Sequence, residues 1–198
     1  VIQIPNLNIT CNTPECGSGL HAFNNPEHTY QKRTKFRKHF DPGVCQACGV
    51  NLVDWSRLHA RNLKDMPHTF STLKLEYIRW EFWSRDFNEK SLNNARERGM
   101  DGLAADAHDT ITKVIGPVAV SGWARRQVPT KPDKMKSVIE YAQHSVAACC
   151  RDCVEKWHGI PNEKPLSTDG IEYLSQLVIE YLEQRLPRDV LQPSLRSR

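Results

Sequence analysis

The chain has 198 residues, of which 39% are hydrophobic and 25% charged, and a formal net charge of +4. That composition excludes a disordered chain, and the length suits one domain with a core or a small module joined to a medium one. The apolar runs are too short to span a bilayer, and the opening VIQIPNLNIT lacks the basic start and apolar stretch of a secretory signal, so a cytoplasmic protein without a membrane partner is expected.

In chain order, the charge comes first. Residues 1–64 carry eight Lys/Arg against four Asp/Glu, whereas the rest carries nineteen of each. The whole excess therefore sits in the first third, concentrated in KRTKFRK at 32–38. Lys32, Arg33, Lys35, Arg37 and Lys38 are candidate phosphate contacts, and Phe36 or Phe40 is placed to stack on a base. A solvated basic loop is the plainer alternative.

Residues 1–52 are rich in Pro, Gly, Asn and Cys and lack helical periodicity. Cys11-x4-Cys16 and Cys45-x2-Cys48 offer four thiols in two knuckles, each followed by glycine, which can take the positive φ of a chain turning back on a thiolate. The expectation is a small zinc-ribbon-like β/loop module closed by Cys11, Cys16, Cys45 and Cys48. A segment with so few apolar side chains needs such a staple. His21 and His28 could replace a cysteine, but four thiols suffice, so each is read as a surface residue or as one that supports a ligand. Seven cysteines is an odd count, which fits reduced, metal-ligating thiols better than a disulfide framework.

A mainly α domain is expected over 53–187, followed by a tail at 188–198. The stretch TFSTLKLEYIRWEFW predicts one central helix with two apolar faces. Residues 89–98 predict a polar helix stopped by Gly99. Asp101 then opens a helix to Ile115, with Leu103, Ala107, Ile111 and Val114/Ile115 in its stripe, and Gly116-Pro117 ends it. GPVAVSGWARRQVPTKP is a loop. Asp133 is the expected cap of a long helix reaching Trp157, with Val138, Ala142, Val146, Cys149, Cys153 and Trp157 on one face. Gly159 and Pro161 stop it. A last amphipathic helix starts at Ser167–Asp169 and ends before Pro187.

The CCRDCVEKWHG stretch at 149–159 poses the sharpest question. Cys149 on the apolar face reads as a small buried hydrophobe. Cys150 and Cys153 lie one turn apart and can converge on an ion, with His158 folding back from the helix end. Cys149, His144, His108 and water compete for the fourth place. Two Zn2+ ions per chain are expected. A single cluster pairing Cys45/Cys48 with Cys150/Cys153, around zinc or as an iron–sulfur centre, stays open.

YAQHSVAACCRDCVEKWHGIP, followed by PLSTDGIEYLSQLVIEYL, resembles a bacterial family of unassigned function with the pattern Q-H-x4-C-C-x2-C-x3-W-H-G-I. RGMDGLAADAHDTI is similar to the G-M-D-x-I-x-x-H-A stretch of that family, so the resemblance spans about residues 95–186. It implies roles for Gln143, His144, Cys149, Cys150, Cys153, Trp157 and His158. A family loop of the form G-K-Q-T-P departs here to Arg126-Gln127-Val128-Pro129. The resemblance favours two separate metal sites over one shared cluster, and supplies no reaction.

No P-loop, dinucleotide, serine-hydrolase, HExxH or zinc-deaminase motif occurs. Three functions remain. The first is a zinc protein that binds nucleic acid through its basic module. The second is a metal-dependent hydrolase acting on nucleic acid, with His108 and His144 as candidate catalytic residues beside Asp109 and Arg126. The third is an adaptor for a protein partner, using Trp55, Trp83 and Trp123 as an aromatic patch.

Overall fold

The computed structural model of the chain describes residues 43–45, 49–118 and 134–191. The chain divides into two compact units, Val1–Arg85 and Asp86–Arg198. The described residues are mainly helical, as the periodicity predicts, and contain no strand beyond one antiparallel bridge between Val44 and Asn51. The rest of the expected β/loop module lies outside the described residues. No described helix is long and apolar enough to cross a membrane.

In the first unit, α1 (Trp55–His59) begins where the Asp54 carboxylate accepts from the Arg57 amide at 3.0 Å and the Ser56 hydroxyl at 2.6 Å. Arg57 then reaches Asp65 through two parallel N–H···O bonds of 2.7 and 2.9 Å, which fastens the turn into α2 (Met66–Leu73). The single central helix expected here is broken at residues 74–76 and resumes as α3 (Tyr77–Ser84). Glu76 is extended (φ −81°, ψ 120°), and its buried carboxylate accepts from Arg79 Nε at 2.9 Å in the first turn of α3. The break lets Leu73 and Leu75 both be buried. On an unbroken helix two such residues would diverge by about 200°.

The rings of Phe70 and Trp83 meet at 5.0 Å, and Lys74 Nζ lies 3.9 Å over the Trp83 ring. Trp83 is 1% exposed, so it belongs to the core rather than to the expected aromatic patch. Trp55 is half-buried, and Trp123 lies outside the described residues.

The second unit is built on α4 (Glu89–Thr110), which runs on into a π-helical turn at Ile111–Ile115. Asn88 caps it, accepting from the Ser91 amide at 2.8 Å. The same side chain donates to the Met135 carbonyl at 3.0 Å, tying the start of α4 to the approach of α5 (Val138–Ser145). The expected stop at Gly99 is instead a kink inside α4, with φ 62° and ψ 173°. Only glycine enters that region readily. A Cβ there would meet nothing within 4 Å. Gly99→Ala is therefore expected to destabilise the chain through backbone strain alone, by about 1–3 kcal/mol, measured as a lower denaturation midpoint in urea.

Below the kink, Leu103, Ala107, Ile111 and Ile115 form the predicted buried stripe. The helix α4 packs on α5, α7 (Thr168–Arg185) and α8 (Arg188–Leu191), and α5 packs on α7. The start of α7 is as predicted: the Ser167 hydroxyl accepts from the Gly170 amide at 3.2 Å. Leu174, Leu177, Val178, Tyr181 and Leu182 supply its buried face.

The long helix expected over 133–157 is two helices. The first, α5, ends at Ser145, and α6 (Arg151–His158) begins after a five-residue turn. Ser137 caps α5 through the Ile139 amide at 3.1 Å, while Asp133 lies outside the described residues. Val146, Ala147 and Ala148 are fully buried, and Ala147 takes a left-handed φ of 57°. Burying these three small residues in the turn overrides the helical spacing of the sequence.

Candidate metal centre

The turn between α5 and α6 assembles the cysteines. The Ala148 amide donates to the Gln143 carbonyl at 2.8 Å, and Gln143 Nε2 donates back to the Ala148 carbonyl at 3.3 Å. Gln143 is 1% exposed, so it acts as a bracket within the core. Cys150 is the N-cap residue of α6, in extended backbone (φ −163°, ψ 164°). The sulfurs of Cys149 and Cys150 converge across this break in the helix. On an unbroken helix their side chains would stand about 100° apart.

The ligand atoms of Cys149, Cys150 and Cys153 all lie within 4.8 Å of one another, and Cys149 Sγ is 3.6 Å from Cys153 Sγ. None of the three sulfurs is in a disulfide, and that sulfur–sulfur distance is far beyond the roughly 2.05 Å of such a bond. It is close to the edge of roughly 3.8 Å that a tetrahedral zinc with bonds of 2.3 Å imposes on two thiolates. Contacts with the Cys149 and Cys153 sulfurs, and then burial, push the Cys150 thiol far above the ordinary cysteine range. A cation among the sulfurs reverses that balance, because a coordinated thiol is deprotonated. The site also lies at the start of α6, where the helix dipole favours thiolate.

His158 is not brought into this group. It is fully buried on α6, with Nε2 2.9 Å from the Val146 carbonyl and Nδ1 3.1 Å from the Tyr173 hydroxyl. A carbonyl only accepts, so Nε2 carries the proton and Nδ1 accepts from Tyr173. Both ring nitrogens are thereby used, which corrects the expectation that His158 folds back onto an ion. Its role is to hold the carbonyl at which the cysteine turn begins. Tyr173, the hydroxyl that completes this arrangement, was not anticipated from the sequence; no spacing rule links it to residue 158.

Cys149, expected either to pack as a hydrophobe or to compete for the remaining ligand place, is the third sulfur of the group. The doubled cysteine was the available signal, since a helix cannot place both on one face. His144 is buried on α5 and His108 is exposed on α4. The grouped donors include neither. Asp109 pairs with Lys113 at 2.6 Å. A cleft of about 320 Å³ lies beside these residues, lined in part by Asp106, Asp109, Glu140 and Gln143. Its carboxylates are engaged by Arg98, Lys113 and the Lys136 amide, respectively. Arg126 lies outside the described residues.

Arg151 follows Cys150 directly and is 3% exposed. Its Nη2 donates to the carbonyls of Pro161 at 2.6 Å and Lys164 at 2.8 Å, pinning the loop after α6. Burial lowers its pKa, partly offset by Glu155. Gly159 closes α6 in the left-handed conformation (φ 61°), as its place after the helix predicts.

In the first unit, Cys45 is 2% exposed. Its amide donates to the Val50 carbonyl and its carbonyl accepts from the Gly49 amide, both at 2.9 Å. Gly49 has the expected positive φ, 75°. Cys11, Cys16, Cys48 and the basic residues 32–38 lie outside the described residues.

A family model described as a domain of unknown function (DUF4186) matches residues 67–183. No solved structure matches the chain.

Proposed function

The chain belongs to the DUF4186 family, and from that premise we propose that it is a zinc-binding protein whose second unit holds one ion on Cys149, Cys150 and Cys153. The observation that carries this reading is the convergence of the three sulfurs within 4.8 Å. Soft, closely spaced thiolates select zinc over magnesium or calcium, which take oxygen donors. Four cysteines among the described residues stand outside any disulfide, which suits a reducing compartment such as the cytoplasm.

A second ion belongs, on this reading, to Cys11, Cys16, Cys45 and Cys48. The chain reversal between Cys45 and Gly49, with its positive φ at Gly49, supports it, because a two-cysteine knuckle needs such a reversal. Elemental analysis of the purified chain tests both: two zinc ions are expected, and one after all three of Cys149, Cys150 and Cys153 are changed to serine. Unchanged metal content in that variant would sink the second-unit site.

The charge excess of the first 64 residues favours nucleic acid as the partner of the basic segment. Binding of a mixed-sequence oligonucleotide is expected to weaken steeply between 50 and 200 mM salt, about 10-fold or more for two to three phosphate contacts. The double change Lys32→Glu and Arg37→Glu is expected to flatten that dependence. Binding indifferent to both salt and charge reversal would count against this partner.

A further inference from the structure

Building on the zinc reading above, we infer that the site is also a redox switch: hydrogen peroxide joins Cys149 to Cys153 as a disulfide, and the ion is released. Two observations carry this. The Cys149 and Cys153 sulfurs lie 3.6 Å apart, so a bond of roughly 2.05 Å needs them to close by only about 1.5 Å. The two residues also differ in burial, as an attacked cysteine and its resolving partner do. Cys153 is half-buried, whereas Cys149 is only 7% exposed. Peroxide therefore meets the Cys153 sulfur first, and the Cys149 sulfur is already in place to trap the product before it oxidises further.

The step balances with peroxide as the oxidant. The Cys153 thiolate attacks one peroxide oxygen. An S–O bond forms, the O–O bond breaks, and the departing hydroxide takes a proton from solvent to become water. The Cys149 thiolate then attacks the Cys153 sulfur of this sulfenic acid. An S–S bond forms, the S–O bond breaks, and the oxygen leaves as hydroxide, which solvent protonates to a second water. Each sulfur is oxidised by one electron, and peroxide is reduced by two. Cys150 is left as the one reduced thiol of the group. A single sulfur cannot replace the three whose convergence holds the ion, so oxidation and metal release are one event.

Trypsin cuts after Lys136, Arg151 and Lys156, so a bridge from Cys149 to Cys153 links the peptides 137–151 and 152–156. The zinc-loaded full-length chain is treated with hydrogen peroxide, remaining thiols are blocked with N-ethylmaleimide, and the unreduced digest is sequenced by mass spectrometry. A chromophoric chelator counts the zinc released. The expected result is a bridge through Cys149 with Cys150 blocked, and one more zinc released than from the triple serine variant. Cys150→Ser should still form the bridge. Cys149→Ser should leave a dimedone-reactive sulfenic acid on Cys153, with circular dichroism confirming that the variant stays helical. Dithiothreitol and fresh zinc should restore the parent chain. A bridge through Cys150, or none, would overturn the inference, while a triple variant lacking one zinc would keep the metal site standing. Full zinc retention in that variant would remove the metal site itself, and the switch with it. Zinc loss that dithiothreitol does not reverse would mean oxidation past the disulfide and would also overturn the switch.

Discussion

Cys150→Ser is expected to weaken zinc binding in the second unit by about a hundredfold, or roughly 3 kcal/mol, as the share of one thiolate in a zinc site worth about 10–16 kcal/mol. Competition with a chromophoric chelator reads this directly. Serine keeps the size of the side chain, and Cys150 sits at the edge of the core rather than within it, so folding should be nearly untouched. Affinity should also fall as pH falls. Its neighbouring sulfurs and burial hold the Cys150 thiol above the ordinary range, so Cys150 keeps its proton in the metal-free chain at neutral pH. An ion must displace that proton, and acid opposes the displacement. An affinity independent of pH would mean that these thiols are not the ligands.

His158→Ala should be among the most damaging single changes in α6. It strips partners from the Val146 carbonyl and the Tyr173 hydroxyl, both inside the core, and opens a cavity at a fully buried site. Unpaired buried groups cost about 1–3 kcal/mol each, so a loss of about 3–5 kcal/mol is expected once the cavity is included. That is a large share of a typical stability of about 5–15 kcal/mol. Tyr173→Phe removes one of the two hydrogen bonds and should cost only about 1 kcal/mol. Urea unfolding of the metal-free chain separates the two variants. Equal, small losses would show that the histidine does not brace the turn.

Much of the second unit could be read before its coordinates were known. The Leu103, Ala107, Ile111 and Ile115 stripe, the Ser167 cap and the Gly159 stop follow from spacing and from local backbone chemistry, which the sequence displays directly. The breaks did not show. Residues 133–157 keep helical spacing throughout, yet the turn at 146–150 follows from burial of Val146, Ala147 and Ala148 and from the hydrogen bonds of Gln143, all set by packing in three dimensions. The same limit left the third sulfur as one of several competitors for the site. Cys149 fits an apolar helix face, and only a bent chain brings it beside Cys150 and Cys153. His158 was a reasonable ligand by sequence distance. What removes it is Tyr173, fifteen residues away and held by a different helix. The kink at Gly99 shows a milder version: glycine was the correct marker, but packing of α4 on its neighbours carries the helix past it.

Ala147 carries one more implication. An alanine in left-handed backbone stores about 1–2 kcal/mol that a glycine would release, so the bend is poised against its own relaxation. Cross-linking the sulfurs that follow it would clamp that bend shut. Amide protons of residues 147–149 should then exchange with deuterium more slowly in zinc-loaded protein than in chelated protein, making the strained corner a gauge of occupancy.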